Sequence, residues 1–245
     1  MGQTIVITSG KGGTGKTSVL CGIASCLAAM KYRVLCLDLD VGLRNLDIAL
    51  GMSDRVLMDF SDVICQRCSL EEAVVEHPDI SHLYLLTAPL GARASRIQPT
   101  DLAGLLRQIR ERFDYCLIDS PAGIGSGFAL AAQGADRAIV VSTTEPASLR
   151  DAQQAVNLLR ERDIPIHLVV NKMSKTMLRR LHTTIDDAMD TAGLPLLGIV
   201  PQDDKVPVCN ALGQIVIQKE RWGAAIAYYN IARRLTGQRV RLHRF

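Results

Sequence analysis

What the 245-residue sequence lacks narrows its class before any motif is read. No stretch approaches the roughly 18 consecutive apolar residues of a membrane span. Nor does the amino terminus carry the basic segment and following apolar core of a secretory leader. There is no internal repeat, no low-complexity tract and no linker rich in Pro, Gly or Ser, so one domain is expected, with 48% apolar residues to fill its core. An even, closely spaced cysteine set is missing too. The seven cysteines, at 21, 26, 36, 65, 68, 116 and 209, lie mostly in apolar segments. That pattern excludes a disulfide framework and reads as reduced, buried thiols in a cytosolic chain. The five histidines are dispersed without helical metal spacing, and no Ser/His/Asp or Cys/His set stands where a nucleophile is needed.

Acid is absent from the C-terminal end. Residues 221–245 hold six arginines and no Asp or Glu, five of the arginines falling between Arg233 and Arg244. Two readings stand: a solvated basic tail, or contact with an anionic partner. The net charge of +3 is too small to argue for nucleic acid, which is not expected as a partner.

Short β-branched and apolar runs recur at 5–8, 34–39, 83–87, 115–119, 138–143, 167–171 and 196–200, with amphipathic stretches between them. Runs buried on both faces are what parallel strands need when helices cross over them. The class is α/β: a doubly wound, mostly parallel sheet with helices on both faces. Ser69-Leu70-Glu71-Glu72 is a capping box, and Thr100 opens a helix whose Leu102, Leu105, Leu106 and Ile109 share one face. A last helix is predicted over 219–235, burying Trp222, Ala225, Ile226, Tyr229 and Ala232, with Gly237 stopping it. Residues 52–99 break the rhythm most. The expected division is a domain over 1–236 and a short basic tail over 237–245.

Gly10 to Thr17 matches G-x-x-x-x-G-K-[ST], after an apolar strand and before a helix predicted from Lys16 to about Met30. Gly10, Gly12, Gly13 and Gly15 let backbone N–H groups turn inward around an anion, and the helix N-terminus adds partial positive charge. Lys11, Thr14 and Ser18 complete the candidate nucleotide-binding run. Lys16 should reach the β- and γ-phosphates of ATP, and the Thr17 hydroxyl should bind Mg²⁺. One lysine suffices to hold a phosphate, so Lys11 needs a separate reason.

A carboxylate on the metal side is expected at the end of a neighbouring strand. Tyr115-Cys116-Leu117-Ile118-Asp119 supplies it: Asp119 can hold a Mg²⁺-bound water, and the Gly123 N–H that follows can sense a γ-phosphate. Leu37-Asp38-Leu39-Asp40 offers two more acids. Asp40, just past the strand end, is free to orient an attacking water. Asp38 is either a carboxylate behind the metal ligands or a satisfied strand-end acid.

The run from Lys11 to Thr17 resembles the deviant Walker A motif of the MinD/ParA group of P-loop ATPases. The resemblance implies that Lys11 reaches across an ATP-dependent homodimer to the phosphates held by the other subunit, where it offsets the repulsion of two nucleotides. The stretches 40–47, 119–124, 149–151 and 198–201 are similar to the group's division-site branch, the first two to its switch I and switch II, so the likeness reaches about Gln238. It implies slow ATP hydrolysis that drives a spatial switch in septum placement, with an activating protein partner. It also implies that Asn171 bonds the adenine edge while Pro201 to Asp203 flank the base. Catalytic roles then fall to Lys11, Lys16 and Asp40.

Members of that branch end in an amphipathic membrane helix; here residues 239–245 span fewer than two turns, which leaves at most a weak contact with an anionic membrane. The expected location is cytoplasmic, peripheral to the inner face of the membrane. Thr143-Thr144-Glu145-Pro146 is also similar to flagellar-number relatives, so flagellar or partition positioning is the alternative client. Cys65-Gln66-Arg67-Cys68 raises another class, an iron–sulfur carrier, against which stand its mid-chain place and a Cys65 expected on a packed helix.

Overall fold

The computed structural model describes residues 1–41, 44–90, 98–182 and 184–242. Eight strands, β1 (Gln3–Thr8), β2 (Val34–Asp38), β3 (Val75–Glu76), β4 (Leu83–Leu86), β5 (Tyr115–Asp119), β6 (Arg137–Ser142), β7 (Ile166–Met173) and β8 (Leu196–Pro201), form one sheet. Their order is β3-β4-β2-β5-β1-β6-β7-β8, parallel throughout except for β3 against β4. All seven strands read from the sequence are present. Only the two-residue β3 was not anticipated, being too short to carry a period.

Side chains alternate between two cores. Ile5, Ile7, Cys36, Leu117 and Val169 pack toward the helices Lys16–Ala29 and Ala224–Leu235, while Val6, Leu35, Leu37, Ile118 and Leu168 pack toward Pro99–Arg112 and Pro146–Arg160. Successive residues point to opposite faces and both faces are covered, which is why the strands read as unbroken apolar runs. Each such fully buried aliphatic side chain is worth roughly 1.5–3 kcal/mol of transfer free energy. Helix Lys16–Ala29 meets the last helix at Gly22, where a Cβ would stand 2.3 Å from the Tyr228 ring, so no larger residue lets the two approach.

The capping box at Ser69 forms as expected, with the Ser69 N–H on Glu72 at 2.8 Å. Leu102, Leu105, Leu106 and Ile109 are the buried face of Pro99–Arg112, which starts one residue before Thr100. The last helix departs from expectation. It starts at Ala224, because Gly223 takes φ +61° and the Asp203 carboxylate accepts the Ala224 N–H at 3.1 Å, and Val216–Lys219 is a separate turn. Its buried face is Ala224, Ala227, Tyr228, Ile231 and Leu235, together with the expected Ala225 and Ala232. Trp222 and Tyr229, expected inside, are 76% and 40% exposed. Gly237, at φ +85°, does end the helix.

Beyond it the Arg234 guanidinium donates to the carbonyls of Leu197 (2.9 Å), Val240 (3.1 Å) and Arg241 (2.8 Å), fastening the chain after the helix to β8. Residues 243–245 of the tail, and Gly42 and Leu43 of the switch I stretch, lie outside the described residues. Among the described residues, no helix is long and apolar enough to cross a membrane.

Candidate functional site

The parallel register brings three strand ends together. β5 lies between β2 and β1, so Asp119 is level with Asp38 on one side and with Ile7 on the other, where the chain turns into the glycine loop. Gly13 and Gly15 take φ of +81° and +85°, and Gly15 caps the helix that begins at Lys16. Gly10 has a different reason to be glycine. A Cβ there would lie 2.1 Å from the Asp151 carbonyl, so the loop lies directly on helix Pro146–Arg160.

Lys16, only 7% exposed, sets its ammonium 2.5 Å from Asp119 Oδ1, and the Thr17 hydroxyl donates to Asp119 Oδ2 at 2.8 Å. One carboxylate therefore takes the two groups that a phosphate and its Mg²⁺ would engage. The buried Thr14 hydroxyl in the same loop has no hydrogen-bond partner among the described residues. An ammonium, two hydroxyls, a carboxylate and a glycine loop at a helix N-terminus are a donor set that suits a nucleotide phosphate with Mg²⁺.

Asp38 is fully buried, and its carboxylate accepts the N–H groups of Asp40 (2.8 Å) and Leu46 (3.4 Å). It is a strand-end acid that also holds both ends of the following loop. Burial first, and the charge of Asp119 second, push it up to about 7. Asp40 is half-buried; burial raises it, while Lys16 pulls the other way and Asp119 adds to the rise. The Gly123 N–H donates to the Ser9 carbonyl at 3.1 Å, so sensing a phosphate would require this bond to open. The Lys11 ammonium lies 3.4 Å from Oε2 of Glu145, a residue that itself lines the cleft beside the loop.

Beside the loop, a cleft of about 510 Å³ opens between the ends of β6, β7 and β8 and is lined by Gly15, Ser18, Asn171, Pro201 and Asp203. The Asn171 amide, 4% exposed, donates to the Thr14 carbonyl at 2.8 Å and thereby props the glycine loop. Asp203 accepts the N–H groups of Lys205 and Ala224, so its carboxylate holds backbone at the cleft's far wall. Three residues here escaped the sequence reading. Lys172 donates to the Gly13 carbonyl (2.7 Å), Asn210 to the Ser18 hydroxyl (2.6 Å), and Glu145 holds Lys11. Glu145 stands in the Thr143–Pro146 stretch noted above, but no local pattern gives any of the three its role here, because each acts through a contact distant in sequence.

Cys65 is exposed at the end of helix Phe60–Ile64 rather than packed on it, since that helix stops one residue earlier. Among the described residues, no group of three or more His, Cys, Asp or Glu could hold a metal ion.

A family model described as ParA, an NUBPL iron-transfer P-loop NTPase, matches residues 1–236. The septum site-determining protein MinD of Bacillus subtilis is 38% identical over 246 residues, covering 99% of this chain and 92% of that protein. The chain belongs to the MinD/ParA family of P-loop ATPases. A second MinD, from Synechocystis, is 36% identical over 98% of this chain and 91% of its own length. Among solved structures, the Aquifex aeolicus MinC:MinD cell division complex matches with a TM-score of 0.92 and 34% identity over 99% of each chain. The Pyrococcus horikoshii MinD with Mg-ADP matches at 0.86 and 27% identity over 96% of each chain. P-loop ATPases of the MinD/ParA family use ATP with Mg²⁺, and the donor set around Lys16, Thr17 and Asp119 has the chemistry for both.

Proposed function

We propose that this chain is an ATP-driven dimerising switch in division-site selection, with residues 1–236 as the ATPase domain and 237–245 as a tail. The observation that carries the reading is the place of Lys11. Its ammonium is paired with exposed Glu145 and makes no bond to Asp119, unlike that of Lys16, which supports a separate role for Lys11 toward a second subunit. The MinD relatives, matched over nearly the whole chain, supply the process.

In this reading the glycine loop and Lys16 hold the phosphates, Thr17 and Asp119 hold the metal, the latter through water, and the cleft from Asn171 to Asp203 holds the base. Bound Mg²⁺ would neutralise charge on the β- and γ-oxygens. Asp119 must give up Lys16 and Thr17 as nucleotide enters, which couples its strand, and Gly123 just beyond it, to the bound state. Asp40, its carboxyl raised by burial, orients the attacking water. Lys11 from the partner subunit adds the last positive charge, so turnover requires the dimer.

A regulatory protein partner fits the likeness to the MinC:MinD complex. The cations near the C-terminal end suit a weak, ATP-dependent contact with an anionic membrane from the cytoplasmic side. Deleting the gene should displace division septa, and Lys16→Ala should fail to restore them. Normal septa with misplaced flagella or lost plasmids would move the client elsewhere.

A further inference from the structure

Trp222, the only tryptophan of the chain, stands 76% exposed in the turn ahead of the last helix. Ile226, Tyr229 and Arg233 follow at spacings of three and four along Ala224–Leu235, with the Arg233 guanidinium 5.9 Å from the centre of the Tyr229 ring. Ile226 and Tyr229 also edge an apolar groove of about 410 Å³ shared with Cys26, Ala29 and Ile217. Cations predominate around this stripe, although Glu220 also lines the groove and the Asp203 carboxylate sits behind Ala224, held by backbone N–H groups. Glu220, the one acid nearby in sequence, is taken by Lys205 at 2.6 Å, and Lys219, Arg221 and Arg233 are in no ion pair among the described residues.

We infer that this face, Trp222 with Tyr229 and Arg233, is where the protein meets an anionic lipid surface. The inference rests on the membrane contact in the proposed function and gives that contact a place. An indole and a phenol, each apolar with one polar tip, sit at headgroup level, and each cation beside them strengthens the contact about fivefold near anionic lipid. Trp222 protrudes and takes no part in lining the groove, which suits a broad surface more than a side chain arriving from a partner protein. The tail is the poorer candidate. Arg234 is committed to three carbonyls and holds residues 240 and 241 against the domain, so two of the tail's positions cannot leave it freely.

A single tryptophan makes the test direct. The full-length protein with ATP and Mg²⁺ is mixed with phosphatidylglycerol vesicles or with phosphatidylcholine vesicles, and both pelleting and Trp222 emission are followed. With anionic vesicles the emission should shift to the blue and become protected from a water-soluble quencher; with neutral vesicles it should not move. Trp222→Ser and Arg233→Glu should each weaken pelleting about fivefold or more, whereas Trp222→Phe and the tail substitution Leu242→Ser should leave it near the parent value. Pelleting with unchanged Trp222 emission, or loss of pelleting on Leu242→Ser alone, would overturn this placement while keeping the membrane contact. No pelleting on anionic vesicles at low salt would overturn both.

Discussion

Asp38 and Asp119 are register partners on adjacent parallel strands, and burial first, with the negative charge of Asp119 second, pushes Asp38 up to about 7. An unfolded aspartate ionises near pH 3.9. Between that pH and about 7 the fold keeps a proton that the unfolded chain has lost, so the contribution of Asp38 to stability is full below the window and falls as pH rises through it. In nucleotide-free, Mg²⁺-free protein, Asp38→Asn should therefore raise the melting temperature at pH 8 and change it little at pH 4. The asparagine carbonyl keeps the Asp40 N–H bond, and the Leu46 bond lost is the long one at 3.4 Å. Calorimetry at both pH values checks the sign; destabilisation at pH 8 would show that the charged form is the one the fold prefers.

Lys11 and Glu145 form an exposed pair, with side chains 38% and 58% accessible, so their bond is worth about 0.2–1 kcal/mol. Removing it should release Lys11 for a partner. Glu145→Gln is expected to tighten the ATP-bound dimer by roughly 1.5–5-fold, the same energy expressed as a ratio. Titration by light scattering measures it, and a weakened dimer would mean that Glu145 itself belongs to the interface.

Asp40 and Asp119 should separate by phenotype. Asp40→Ala is expected to keep ATP and Mg²⁺ and to trap the dimer, with turnover down by about 10²–10⁴-fold. Asp119→Ala should lose Mg²⁺-dependent binding instead, since Thr17 and Lys16 both lean on that carboxylate. Equal loss of nucleotide binding in the two variants would put Asp40 among the metal ligands.

For Asn171 the amide bond to Thr14 makes a sharper expectation than an adenine contact does. Leaving the buried Thr14 carbonyl unpaired costs roughly 1–3 kcal/mol, and the cost falls on the glycine loop. Asn171→Ala should therefore weaken inorganic tripolyphosphate as much as ATP in competition binding. Unchanged tripolyphosphate affinity with weakened ATP would return the residue to the base.

The parts of the molecule that repeat a local rule were legible in the sequence. Strands covered on both faces had to be apolar throughout, a glycine loop between strand and helix had to cradle an anion, and Ser69 with Glu72 had to cap. What escaped depended on partners distant in the chain. The start of the last helix is set by Asp203, some twenty residues upstream, and Gly223 is glycine because a Cβ would lie 2.4 Å from that carboxylate. With the helix start displaced, the buried stripe rotated, so Trp222 and Tyr229 came out and Tyr228 went in. Arg234 read as one more basic residue of the tail; it is a clasp on three carbonyls. At the site, Lys16, Thr17 and Asp119 are brought together as their motifs require. No local pattern gives Lys172, Asn210 or Glu145 its role, which is to hold backbone or another side chain.

In the proposed switch Lys11 acts across a dimer and Lys16 within the subunit. Sedimentation velocity with Mg²⁺ and a non-hydrolysable ATP analogue, on the parent protein, Lys11→Ala and Lys16→Ala with nucleotide occupancy measured in parallel, tests it most directly. The parent should move from monomer to dimer on adding the analogue. Lys11→Ala should bind the analogue and stay monomeric, and Lys16→Ala should lose binding altogether. A Lys11→Ala protein that dimerises like the parent would contradict it.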